Sequence, residues 1–140
     1  MTDKEIQEMI KRHEGYRDRV YIDAVGVPTG GYGHAFLSGS PLPAVVCDIL
    51  FYIDYWQSVQ DYEILTNREG FELDPIRRGV VINMIFNLGL FKLMKFKKML
   101  TALSNKDWNR AADEMKNSKW YSQVGKRGKE LVKLMRKGEL

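Results

Sequence analysis

The chain has 140 residues, 44% of them hydrophobic, and a formal net charge of +4. That length fits one domain, itself divided into two lobes, and suffices to bury most of the surface its unfolded form exposes. A single cysteine, Cys47, excludes an internal disulfide, and no apolar run approaches the roughly 20 residues that span a bilayer.

Cys47 reads as a small buried hydrophobe on a helix rather than a nucleophile. No charged, apolar and small-residue leader opens the chain, so the expectation is a soluble polypeptide without an export signal of its own. The net charge hides an asymmetry: residues 1–90 hold 8 Lys and Arg against 13 Asp and Glu, and residues 91–140 hold 14 against 5. Such a basic second half suits an anionic partner, either nucleic acid or a carboxylate-bearing polymer, or is simply a set of solvated helix faces. No zinc-finger spacing or RNA-binding aromatic motif accompanies the charge, which speaks against nucleic acid.

Thr2 and Glu5 form a capping box, and Ile6, Met9 and Ile10 recur at helical spacing, predicting a first helix that runs to about His13. Glu14 sits where it ends and Gly15 supplies the stop. Val20, Tyr21 and Ile22 read as a strand, residues 24–26 as a turn, and residues 27–29 as the start of a second short strand in which Pro28 argues for a sheet edge. Gly30, Gly31 and Gly33 weaken ordinary strand packing, so they call for close approach of a ligand, or for a twisted edge or bulge.

Residues 36–42 form a short connection with Gly39 and Pro41, and Pro43 suits the first turn of a helix. No Gly or Pro interrupts residues 44–65, a helix of roughly 30 Å. Residues 49–56 are apolar or aromatic except for Asp54. Either both sides of this helix are covered, the preferred expectation, or an aromatic patch is left open to a partner.

Residues 66–73 read as a loop, and Asp74-Pro75 as an N-cap followed by proline at the first helical position. In the next helix VVINMIF, residues 80–86, is apolar all round apart from Asn83, which marks the middle of a core. A buried Asn needs partners, so Asn83 is a structural pin or a group facing a cleft. Gly89 ends this helix, residues 91–103 make a short basic one, and Asn105 is placed to cap the next, which carries Trp108, Ala111, Ala112 and Met115. Ser118 caps a shorter element with Trp120 and Tyr121, and Gly125 separates it from a last helix with Leu131, Val132 and Met135 on one side. One hairpin region followed by helices is an α+β pattern.

The densest chemistry lies in EGYRDRVYIDAVGVPTGGYGH, residues 14–34. Two carboxylates there could serve glycosidic-bond hydrolysis, which needs one protonated carboxyl for the leaving oxygen and one ionised carboxyl to activate water or attack the sugar. The bland alternative is a helix end and a turn whose acids are only solvated. The order Glu14, Asp23, Thr29, then a glycine-rich strand ending in Gly-His, resembles the catalytic hairpin of the lysozymes of T-even bacteriophages. Residues 80–89, VVINMIFNLG, resemble the central helix of that family, and residues 118–128, SKWYSQVGKRG, its Trp-Tyr and Arg segment.

The resemblance implies a lysozyme-like fold: a β-containing lobe over residues 14–42, a connecting helix over 43–65, and a helical lobe from 1–13 with 66–140, with a cleft between the lobes. It implies hydrolysis, with inversion, of the linkage between N-acetylmuramic acid and N-acetylglucosamine in peptidoglycan, for host-cell lysis. Glu14 then matches the general acid, Asp23 the second carboxylate, and Thr29 the hydroxyl that helps place the attacking water. His34 matches a histidine that pairs with an acid on the long helix, for which Asp54 is the best-matched carboxylate. Arg127 matches an arginine close to the catalytic Glu, and Asn83 an asparagine near the same place. Phe86 and Trp120 are placed to line the saccharide groove, with plain core packing as the alternative for Phe86.

His13 and His34 are the only histidines, and neither has a carboxylate or cysteine at metal-ligand spacing, so no metal or cofactor is expected. The implied partner is the peptidoglycan glycan strand, met by a monomer with no nucleic acid and no stable membrane insertion. Synthesis in the host cytoplasm and action on the periplasmic or external wall follow from the same likeness. The rival class is a non-catalytic wall-binding or protein-binding module that keeps the fold, with residues 49–56 as its contact surface. The chain departs from the T-even enzymes in a shorter connection after His34 and in Gly30, where relatives carry a bulkier apolar residue.

Overall fold

A computed structural model describes residues 1–36, 39 and 41–140. Eight helices and three strands follow one another among them as α1 (Asp3–Glu14), β1 (Arg17–Ile22), β2 (Pro28–Gly31), β3 (His34–Ala35), α2 (Ala44–Glu69), α3 (Pro75–Leu88), α4 (Leu90–Leu93), α5 (Lys97–Ser104), α6 (Trp108–Lys116), α7 (Lys119–Val124) and α8 (Lys126–Lys137). This is the expected α+β class. Two compact units divide the chain: Gln7–Gln57, and Met1–Ile6 with Ser58–Leu140. No helix among the described residues is long and apolar enough to cross a membrane.

In the unit of residues 7–57, the strands form one antiparallel sheet in the order β1-β2-β3. Tyr21 pairs with Thr29, Ile22 with Pro28, and Gly30 with His34, and a bulge interrupts β1 between Arg17 and Tyr21. Pro28 therefore does not mark a sheet edge, because β2 is the central strand. The proline is tolerated as its first residue, where no ladder N–H is required, and its carbonyl still accepts from Phe36 N–H at 2.5 Å. Of the connection expected over residues 36–42, Leu37, Ser38 and Ser40 lie outside the described residues.

The glycines of β2 answer to the chain's own side chains. A Cβ on Gly30 would stand 2.5 Å from Leu42 Cδ1, and one on Gly31 3.2 Å from Cys47 Cβ. Val20, Leu42 and Cys47 form a small buried cluster against which Phe36 packs. Cys47 is thus the buried small hydrophobe its helical position predicted, and Leu42 occupies the space that the missing side chain at residue 30 leaves.

α2 runs four residues past its expected end, because polar residues 66–69 continue a helix as readily as apolar ones until Gly70, at φ +72°, stops it. Phe51 and Tyr55 are buried on one side, while Val45, Ile49, Ile53 and Trp56 are exposed. The expectation of a helix covered on both sides is therefore corrected: one stripe, at spacings of three to four residues, faces solvent.

In the unit of Met1–Ile6 with Ser58–Leu140, α3 is the buried axis, with Val80, Val81, Ile82, Met84 and Ile85 at most 2% exposed. Asp74 caps it as its sequence predicts, accepting Arg77 N–H at 3.0 Å, and Pro75 occupies the first turn. Burial alone would raise the Asp74 carboxyl, but the Arg77 backbone bond and guanidinium outweigh it and hold the group below the usual carboxylate range. The buried Arg77 also donates from Nε to Met135 O at 2.7 Å, neutralising the last carbonyls of α8.

The helix expected over residues 91–103 is broken into α4 and α5. A continuous helix would turn Leu93 and Met99 about 120° apart, and the break buries both. Asn105 does not cap α6. It closes α5, and Asp107, two residues later, caps α6 by accepting Arg110 N–H at 3.1 Å. Ser118 caps α7 and Gly125 separates it from α8.

Candidate active site

Glu14 is the last residue of α1. The helix stops because Gly15 takes φ +70° and returns its N–H to Lys11 O at 2.9 Å, leaving Glu14 half-buried at the mouth of the hairpin. Gly33, at φ +80°, forms the floor on which this carboxyl lies. A Cβ there would stand 2.7 Å from Glu14 Oε2 and 2.9 Å from its carboxyl carbon.

Asp23 opens the turn between β1 and β2. Its N–H donates to Val27 O at 3.0 Å, and its Oδ1 accepts from Val25 N–H at 2.9 Å and Val27 N–H at 2.8 Å. Those bonds fix the rotamer and leave Oδ2 facing Thr29, whose Oγ1 lies 3.5 Å away. Thr29, only 6% exposed, donates its hydroxyl proton to Val27 O at 2.9 Å. Pairing of Thr29 with Tyr21 across the sheet sets this geometry. Asp23 and Thr29, six residues apart, are thereby brought together.

His34 follows the Tyr32-Gly33 turn, and its Nδ1 stands 2.7 Å from Asp54 Oδ2 on α2. Its ring lies 4.5 Å from that of Phe36. In the same unit, Lys11 Nζ is surrounded by the rings of Tyr32, Phe51 and Tyr52 at 5.2, 4.9 and 5.4 Å, which ties the last turn of α1 to α2 and to the hairpin.

In the helical unit, Asn83 is fully buried and accepts Arg127 Nε at 2.9 Å, while Arg127 Nη2 approaches Asn83 O at 3.4 Å. Two polar groups 44 residues apart thus solve each other's burial problem. Phe86 is half-buried one turn further along α3. Trp120 is 4% exposed, donates from Nε1 to Asn87 Oδ1 at 2.8 Å and meets Phe96 edge-on at 6.3 Å.

Sequence reasoning did not single out Gly33 as the support of Glu14, Lys11 as an aromatic-caged cation, or Asn87 as the partner of Trp120. A signal existed for Asn87, since it lies four residues after Asn83 on an otherwise apolar helix and so shares its face. None existed for Lys11, whose rings come from two stretches distant from it in sequence, Tyr32 and the adjacent Phe51 and Tyr52. Among the described residues, no three His, Cys, Asp or Glu side chains group as a metal site.

Comparison with known proteins gives the same direction. The phage lysozyme family profile matches residues 11–139. The chain is 28% identical to "Probable T4-type lysozyme 1" of Dictyostelium discoideum over 96% of its own length and 95% of that protein. It is 38% identical to "Probable T4-type lysozyme 2" of the same organism, over 49% of its length and 40% of the relative. It is also 26% identical to "Pre-baseplate central spike protein Gp5" of Enterobacteria phage T4, over 95% of this chain but only 28% of that protein. With its hairpin, its α+β architecture and a profile match along nearly the whole chain, this protein belongs to the phage lysozyme family, the muramidase-type hydrolases of the bacterial cell wall.

Proposed function

We propose that the chain hydrolyses the β-1,4 linkage between N-acetylmuramic acid and N-acetylglucosamine of peptidoglycan, with inversion, and serves host-cell lysis. The observation that carries this reading is the geometry at Asp23. Oδ1 is engaged by two backbone N–H groups, and Oδ2 faces the Thr29 hydroxyl, whose Oγ1 lies 3.5 Å from it and 2.9 Å from Val27 O. Asp23 Oδ2 and the Thr29 hydroxyl together offer polar contacts to one water. A water donating a hydrogen to Oδ2 there directs a lone pair outward, toward the anomeric carbon.

In this reading Glu14, seated on Gly33, gives its proton to the leaving glycosidic oxygen while Asp23 takes one from the attacking water. Room for that water, typically ~6.5–9.5 Å between the carboxyl groups, is what makes the outcome inversion. His34, tied to Asp54, holds the end of the hairpin in register. By the likeness to the family, Asn83 and Arg127 are proposed as supporting residues, and Phe86 and Trp120 as rings for a sugar face. The enzyme works as a monomer made in the host cytoplasm, on the periplasmic or external wall.

Clearing of purified cell-wall suspensions and reducing-end release from purified peptidoglycan test the assignment. Glu14→Gln and Asp23→Asn should each lower the rate at least ~100-fold, the usual range for an essential acid or base. Near-normal clearing by either variant defeats the site. The anomer first released, followed by NMR, should be α; a β product would overturn inversion.

A further inference from the structure

The basic charge of the second half is not spread evenly. Residues 116–137 carry eight Lys and Arg against one acid, Glu130. On α6 the two acids are both taken by arginines, Asp113 by Arg136 at 2.7 Å and Glu114 by Arg110 at 3.2 Å. Glu130 stands among the lysines of this face, four residues after Lys126 and three before Lys133, and leaves them in excess. Lys126, Lys129, Lys133 and Lys137 recur at steps of three and four, a stripe about 16 Å long on one side of α8. Lys129, Lys133 and Lys137 line, with Lys116 from the end of α6 and the half-buried Tyr121, a recess of about 270 Å³.

We propose that this recess and the α8 stripe form a docking surface for a wall-attached phosphodiester polymer, a linear chain of polyol or sugar phosphates. This rests on, and deepens, the reading of the protein as a wall hydrolase by naming what holds it on the wall. Like charges in excess of the one acid among them repel one another in the free protein, and a polyanion that neutralises several together relieves that repulsion. Volume and chemistry select the kind of anion. A recess of this size is smaller than a typical small-molecule pocket and takes one phosphate with its neighbouring atoms. Lysine ammonium groups are mobile point charges that suit successive phosphates without demanding planar, bidentate geometry.

Nucleic acid fits the surface less well. Arg136 is occupied by Asp113 and by Asn109 at 3.2 Å, and Trp120 is too buried to stack with bases. Glu139, just beyond the stripe, is the one acid near its C-terminal end.

Co-sedimentation of the full chain with intact walls, beside walls stripped of phosphodiester polymer by hydrofluoric acid, is the test. A second arm uses Lys129→Gln/Lys133→Gln/Lys137→Gln, in which three exposed side chains change and none belongs to the hairpin. Binding should fall roughly tenfold or more on stripping, fall equally for the triple variant on intact walls, and weaken steeply with salt. Release of soluble fragments from polymer-free peptidoglycan should be unchanged. Equal sedimentation of wild type with both walls, or of the variant with intact walls, overturns the proposal, as does equal affinity for duplex DNA at the same salt. Substituting Lys92, Lys95 and Lys98, which line a separate recess, should leave binding intact; if it abolishes binding, the surface is misassigned. Because sedimentation does not depend on turnover, an inactive protein that still binds would sink only the hydrolase reading.

Discussion

Gly33 lies directly beneath the Glu14 carboxyl, so closely that one added carbon would stand 2.7 Å from Oε2. The contact joins the end of a helix to a turn nineteen residues later, and it requires both the missing side chain and the left-handed φ of +80°. Gly33→Ala should therefore cost stability of about 1–2 kcal/mol from backbone strain and also push the carboxyl aside. A displacement near 1 Å is enough for roughly a hundredfold loss of rate. Thermal melting beside rates on purified peptidoglycan checks both; wild-type kcat in a folded Gly33→Ala protein would separate Glu14 from the chemistry.

Leu42 and Gly30 share one volume, since Leu42 Cδ1 stands 2.5 Å from where a Cβ on Gly30 would be. Leu42→Ala should cost about 2–5 kcal/mol by opening a cavity, and Gly30→Val about 1–3 kcal/mol by overfilling. Together they should cost less than the sum by about 1 kcal/mol or more, because the valine enters the space the leucine leaves. Full relief is not expected, as Arg19 O lies 3.2 Å from the same Cβ. A double-mutant cycle by denaturant unfolding measures the coupling, and strict additivity would refute the shared volume.

Tyr62 is buried on α2, and that burial, tempered by the nearby Arg78 guanidinium, pushes its hydroxyl up to about 12 from 10.0. A raised folded-state value means that the neutral form is favoured by folding. Its contribution is fully present below about pH 10 and is lost as the pH climbs toward about 12. Stability of the wild type should decline across that window more steeply than that of Tyr62→Phe, which has no proton to lose. Parallel curves in chemical unfolding between neutral and alkaline pH would show that Tyr62 does not titrate with folding.

Local signals carried much of the fold. Asp74-Pro75, Ser118 and Gly125 sit where the chain's own short-range chemistry puts them, because a cap needs only its next three residues. The same locality misled at Asn105, where a second capping residue two positions on, Asp107, takes the role. It misled again at the end of α2, where polarity was read as a loop although nothing stopped the helix before Gly70.

The order of Glu14, Asp23 and Thr29 is a property of the sequence, and with it the hairpin that holds them and the resemblance to a family. The α+β class is equally local, since it follows from runs of apolar spacing and their punctuation. Tertiary structure alone decided that Pro28 lies in a central strand, that Leu42 fills the place beside Gly30, that Arg127 reaches Asn83 across 44 residues, and that one stripe of α2 stays uncovered. Each of these depends on which distant surfaces meet. Such meetings are fixed by the packing of whole elements, and no short-range spacing along the chain records them.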